Sequence, residues 1–139
     1  MKLTLTLLAI LLLSTSCDKM SSGPIDADEL SIAGTWTLTE AYISAGGPQY
    51  WIDVEDGEEI TFFDDGTFTS NRFTECETGN FSITGDELLL EYDCEGFELP
   101  SQNDKGPISY TLEFFSDYFI LTPTSGPICI EGCSYKYEK

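Results

Sequence analysis

From Leu30 to Lys139, apolar and polar residues alternate in short runs broken by turn dipeptides, and no stretch carries the periodicity of a long amphipathic helix. Thr, Ile, Phe and Tyr are abundant in these runs, as suits a pleated surface packed on one face. The pattern predicts eight strands, over about 34–43, 58–64, 67–73, 79–84, 87–94, 107–115, 118–123 and 128–137.

The links between these strands fall into two kinds. Asp65-Gly66, Gly85-Asp86 and Ser116-Asp117 are read as two-residue hairpin links, which favour tight antiparallel pairing. The alternate connections, 44–57, 74–78, 95–106 and 124–127, are longer. In an up-and-down meander alternate links lie at opposite ends, so one end is tightly tied and the other carries the long loops. The expected fold is therefore all-β, an eight-stranded antiparallel up-and-down barrel with one open mouth.

Register supports that arrangement. Across Ser116-Asp117, Phe114 faces Phe119 and Leu112 faces Leu121, with Ile108 and Tyr110 on the same side. Across Gly85-Asp86, Ile83 faces Leu88 and Phe81 faces Leu90, with Tyr92 following. The Asp65-Gly66 hairpin is ambiguous. A two-residue link sets Phe63 against Phe68 and leaves Ile60, Phe62 and Phe73 on the other face.

The same registers bear on the cysteines. Extending the Gly85-Asp86 hairpin brings Cys94 opposite Glu77, and one bulge near Thr78-Gly79 would set it beside Cys76. A Cys76–Cys94 disulfide is expected, leaving Cys129 and Cys133 to pair with each other. Those two can meet only if Ile130-Glu131-Gly132 turns; otherwise each pairs across to Cys76 or Cys94.

The N-terminus follows another pattern. Lys2 precedes an apolar run from Leu3 to Leu13, then come Ser14, Thr15, Ser16 and Cys17. This is a secretory signal peptide in outline, and the run is too short for a permanent membrane span. The Cys after the small residues resembles the lipobox of bacterial lipoproteins. That resemblance implies cleavage after residue 16, a lipid on Cys17 and a bacterial cell-envelope location, at the outer membrane or the cell surface. An even set of four Cys would then remain for disulfides in an oxidising compartment. Residues 17–29 read as the lipidated Cys and a flexible tether, and residues 30–139 as one barrel domain.

Composition narrows the chemistry. The chain has 6 Lys plus Arg against 25 Asp plus Glu; without Lys2 the balance is −20. Nucleic acid is excluded as a partner by repulsion, whereas a basic protein would be attracted. So high a charge also favours a monomer. There is no His, which removes the usual general base and the commonest transition-metal ligand. With the Cys oxidised, the expectation is no enzyme, no cofactor and no metal. The acidic run Asp53, Glu55, Asp56, Glu58 and Glu59 lacks the ligand spacing of a calcium loop and reads as solvated charge.

Gly34-Thr35-Trp36 resembles the Gly-x-Trp signature of lipocalins, and Ser116-Asp117-Tyr118 resembles their Thr-Asp-Tyr motif. The Phe62–Phe68 run, Phe-x-x-Asp-Gly-Thr-Phe, is similar to a hairpin in the lipocalin-like domains of small bacterial lipoproteins. The resemblance implies a lipocalin-like barrel that holds a small apolar ligand at its mouth. Trp36 is read as a structural plug at the narrow end. Tyr50 and Trp51, on a Gly46-Gly47-Pro48 stem, either grip a ligand or cap the open end. Tyr110, Leu112 and Phe97 complete the candidate ligand contacts. The alternative function is an acidic protein-binding module, such as an inhibitor that masks a lysozyme-type cationic enzyme.

Overall fold

The computed structural model describes residues 23–99, 106–125 and 133–139. Among them, nine strands form one antiparallel sheet: β1 (Gly34–Ile43), β2 (Tyr50–Asp53), β3 (Glu59–Phe62), β4 (Thr67–Ser70), β5 (Thr78–Thr84), β6 (Glu87–Tyr92), β7 (Ile108–Phe114), β8 (Tyr118–Pro123) and β9 (Ser134–Glu138). Strands β3 to β9 pair in chain order, and β9 returns to β1, so eight strands close into a barrel. The closed barrel expected from the link lengths is present, with three tight hairpins at one end.

The ninth strand, β2, lies inside the segment that sequence alone reads as the 44–57 loop. It folds back on the second half of β1, pairing Glu40 with Asp53 and Ile43 with Tyr50. The chain then jogs outward and resumes as β3 along the first half of β1, pairing Thr37 with Glu59 and Gly34 with Phe62. Gly57 makes the jog possible, because a Cβ there would stand 1.9 Å from the Leu38 carbonyl oxygen. Four residues with no alternation of burial gave β2 no signature in the sequence.

One hairpin differs from its sequence reading. The β3–β4 link is three residues, Asp64-Asp65-Gly66: Phe63 N donates to Thr67 O at 2.9 Å, and Gly66 takes φ 83°. The extra residue shifts the register by one. Phe62 therefore faces Phe68 and Ile60 faces Ser70, all pointing inward, while Phe63 is exposed. The other two hairpins keep their two-residue links, with Phe114 opposite Phe119 and Ile83 opposite Leu88.

A short helix, α1 (Glu29–Ile32), lies under the tight end. Asp28 caps it, accepting from Ser31 N while the Ser31 hydroxyl accepts from Asp28 N. The Ser31 N–H, and after it the Ser31 hydroxyl, hold the Asp28 carboxyl below its ordinary value. Ile32 is fully buried, and its carbonyl accepts from Trp36 Nε1 at 2.7 Å. Trp36 is itself fully buried, edge-on to Phe119 and Phe114, with Lys139 Nζ 4.6 Å from its ring centre. The helix and Trp36 thus fill the base of the barrel. Ahead of α1, Ile25 N donates to Phe114 O at 2.7 Å, so the segment read as tether is docked from at least that point.

Phe62, Phe68, Phe81, Phe119, Leu88 and Leu121 continue the core upward from Trp36. Burying each such side chain contributes about 1.5–3 kcal/mol. Cys17 and Cys129 lie outside the described residues, as do residues 1–16. No helix among the described residues is long and apolar enough to cross a membrane.

Candidate functional site: a polar cluster inside the open half

The apolar lining does not run the full height of the barrel. Glu58, just before β3, turns its carboxylate inward, where its side chain is only 12% exposed. Ser70, at the end of β4, donates to Glu58 Oε1 at 2.8 Å, and Tyr137 on β9 donates to Oε2 at 3.1 Å. Arg72 enters from the same side as Ser70, with Nη1 3.8 Å from Glu58 Oε2. The same nitrogen donates to the Tyr110 hydroxyl on β7 at 3.1 Å. Ser70 Oγ accepts from Arg72 N, which ties the two residues to one bend of chain. Glu58, Ser70, Arg72, Tyr110 and Tyr137 therefore form one network spanning the interior. Such a pair is tolerable inside because each charge has a partner and further hydrogen bonds.

Tyr92, at the end of β6, is the exception. Its hydroxyl is buried and, among the described residues, has no hydrogen-bond partner of good geometry. Burial pushes its ionisation up to about 12 against the pull of the nearby Ser70 hydroxyl, and the Glu58 carboxylate adds to the rise. Burial likewise raises Tyr110 and holds Tyr137 well above the ordinary phenol value. For Arg72, burial works against the charge, but Tyr110 and Glu58 outweigh it and the guanidinium is held above its usual value. Near neutral pH the cluster thus offers three neutral phenols and one guanidinium.

An aromatic shelf closes over Tyr92. Phe73 and Phe97 flank its ring at 5.1 and 5.5 Å between centroids and touch each other at 5.4 Å, while Phe68 lies beneath. The shelf is set by the disulfide between Cys76 and Cys94, whose Cα atoms are 5.6 Å apart. It ties the 71–77 turn to the segment after β6, and Phe97 N donates to Cys94 O. The β5–β6 ladder runs without a bulge from Gly79–Tyr92 to Thr84–Glu87; the turn from Phe73 to Cys76 brings the two sulfurs together instead. Cys133 is also disulfide-bonded. Cys76, Asp93 and Cys94 lie close enough to share a metal ion, but both sulfurs are consumed in the disulfide.

The candidate ligand residues are dispersed. Tyr110 and Leu112 point into the barrel and are nearly fully buried, Tyr110 within the network and Leu112 in the apolar layer below it. Phe97 belongs to the shelf. Tyr50 and Trp51 are adjacent on β2 and so lie on opposite faces of the sheet. Trp51 pairs with Tyr42, ring to ring at 5.1 Å, on the outer face that also carries the Glu40–Lys136 ion pair. A register shift at Thr39 reverses the parity of β1, so that Ala41 and Ile43 face inward, with Ile52 and Tyr50 opposite them. Tyr50 and Ile52 are 49% and 37% exposed, an apolar lip at the rim.

Glu58, Arg72, Tyr92 and Tyr137 are not singled out by sequence. Glu58 is hidden in a run of acids that otherwise faces solvent, and only the jog at Gly57 turns it inward. Arg72 could have been found as the sole arginine of a strongly acidic chain, placed at a strand end.

Residues 32–117 match the lipocalin-like domain family. Among solved structures, a lipocalin-like protein from Bacteroides uniformis is 23% identical and has a TM-score of 0.40, covering 78% of this chain and 98% of its own. A mutant of the fluorescent protein UnaG is 13% identical with a TM-score of 0.34, covering 79% of this chain and 96% of its own. No curated protein matches the sequence.

Proposed function

The chain belongs to the lipocalin-like domain family, and from that premise we propose that it is a non-enzymatic binding protein whose barrel takes a small, largely apolar molecule through its open end. One observation carries the reading. The barrel is packed solid around Trp36 at its base, yet its upper half holds Arg72, Tyr110 and an unpartnered Tyr92 hydroxyl below an aromatic shelf and an apolar lip. Purely structural packing would favour apolar side chains there, since buried polar groups cost free energy when imperfectly paired. Apolar walls with a few placed polar groups are what a ligand site needs.

The anchor proposed with it is a lipid on Cys17, which would hold the monomeric domain at the bacterial envelope. Native mass spectrometry of the protein extracted from membranes tests both parts. A mass increment on Cys17 and a releasable small-molecule adduct are expected. Unmodified Cys17 removes the anchor, and a bare mass after incubation with lipid extract removes the ligand.

A second reading is favoured by β2. Among the described residues it pairs only with β1, which leaves its other edge open, and Tyr50, Trp51 and Ile52 on it are exposed beside Asp53, Glu55 and Asp56. An open edge with acidic flanks suits a basic protein partner, a lysozyme-type enzyme included. Pull-down with lysozyme at low and high salt tests it, and absence of binding at both ends this reading.

A further inference from the structure

The polar cluster also bears on the chemistry of the ligand, an inference that rests on the binding function just proposed. The guanidinium of Arg72 carries five N–H donors in a planar fork. Among the described residues it makes one side-chain hydrogen bond, from Nη1 to Tyr110, and its side chain is about one-third exposed toward the mouth. Tyr92 adds a buried hydroxyl that makes no hydrogen bond of good geometry among the described residues, with the Ser70 hydroxyl its near neighbour. Both groups lie at the ends of their strands nearest the long connections, and both touch Phe73: the Arg72 guanidinium carbon is 5.6 Å from its ring centre and the Tyr92 ring 5.1 Å. Two donors therefore converge under one aromatic shelf.

The charge of the guest is constrained by the groups already surrounding Arg72. Glu58 balances the guanidinium at 3.8 Å, and the carboxylate is itself held by Ser70 and Tyr137. A ligand carboxylate would be a second anion in the same enclosure, within a chain of net charge −19. At low dielectric that repulsion is large, and no second cation among the cluster residues offsets it. A ligand ammonium would meet the Arg72 charge directly. An uncharged acceptor, with two lone pairs and little desolvation cost, meets both donors without either penalty.

We propose that Arg72 and Tyr92 form a subsite for a neutral carbonyl oxygen, so that the ligand class is an apolar ester, ketone or amide and not a fatty acid or an amine. The carbonyl accepts from a free N–H of Arg72 and from the Tyr92 hydroxyl, and the hydrocarbon lies against Phe73, Phe97 and the Tyr50–Ile52 lip.

Displacement of a neutral apolar fluorophore, N-phenyl-1-naphthylamine, from the full chain tests this with four compounds of matched length: undecane, methyl decanoate, decanoate and decylammonium. Methyl decanoate is expected to displace the probe roughly tenfold better than undecane, as one or two good hydrogen bonds allow, and better than either ion. Tyr92→Phe and Arg72→Met are each expected to shrink the ester-over-undecane preference, and Tyr92→Phe removes no hydrogen bond of good geometry, so it should fold. Decanoate or decylammonium binding more tightly than the ester overturns the neutral-acceptor subsite while leaving the binding function intact. So does an ester preference that survives Tyr92→Phe undiminished. Failure of the probe and all four compounds to bind overturns the binding function together with the subsite.

Discussion

Arg72 reaches across the barrel to Tyr110, Nη1 to hydroxyl at 3.1 Å, and so joins the bend after β4 to the opposite wall at β7. Both residues belong to segments that pair with other neighbours, so no backbone ladder makes this link. It fixes the depth at which apolar packing gives way to polar chemistry.

The three inward tyrosines of the cluster predict how stability responds to alkali. Tyr92, at about 12, and Tyr110 and Tyr137 all ionise above the ordinary phenol value of 10.0 in the folded state. The folded protein keeps protons that the unfolded chain releases, so their contribution is fully present below pH 10 and is lost as pH rises toward 12. Melting temperature should fall over that window, with part of the tyrosinate absorbance appearing only as the protein unfolds. Full tyrosinate absorbance from a still-folded protein contradicts this.

Tyr92 and Tyr137 should respond oppositely to loss of the hydroxyl. Tyr92→Phe removes a buried hydroxyl that makes no hydrogen bond of good geometry among the described residues, so stability should hold or rise by up to about 0.5 kcal/mol. Tyr137→Phe takes a donor from the enclosed Glu58 carboxylate and should cost about 1–3 kcal/mol. Urea denaturation of the two variants gives the comparison.

Gly57 and Gly47 provide a second contrast. Gly57→Ala drives a methyl into the Leu38 carbonyl and should destabilise by roughly 1–3 kcal/mol or more, because the jog between β2 and β3 cannot close. At Gly47 none of the described residues lies within 4 Å of an added Cβ, and Gly47→Ala should be silent within about 0.5 kcal/mol. Paired thermal melts distinguish them.

Breaking the Cys76–Cys94 bridge should act on the shelf as well as on stability. The 18-residue separation predicts a loss of about 3 kcal/mol from freeing the unfolded chain. Cys76→Ser with Cys94→Ser should also loosen Phe73 and Phe97 over Tyr92, read as faster amide exchange at Phe97, whose N–H is bonded to Cys94 O. Unchanged exchange there would mean that ring packing alone sets the shelf.

The pattern of residues determined the closed sheet by itself. Alternation along Phe81–Ile83, Leu88–Tyr92, Ile108–Phe114 and Phe119–Leu121 fixes which face is inward, and the lengths of the links fix which end is shut. These are local quantities, repeated every second residue and every second strand, so they survive without knowledge of the whole. Tertiary structure alone decided the rest. A three-residue turn at Asp64–Gly66 moved Phe62 inward, β2 formed because β1 offered an unoccupied edge, and a bulge at Thr39 set Tyr50 on the inner side and Trp51 on the outer. The polar network brings together residues up to 79 positions apart, Glu58 and Tyr137, that share no strand pairing. Its members look in sequence like ordinary surface charge and ordinary strand tyrosines, and only closure of the barrel takes them out of water together.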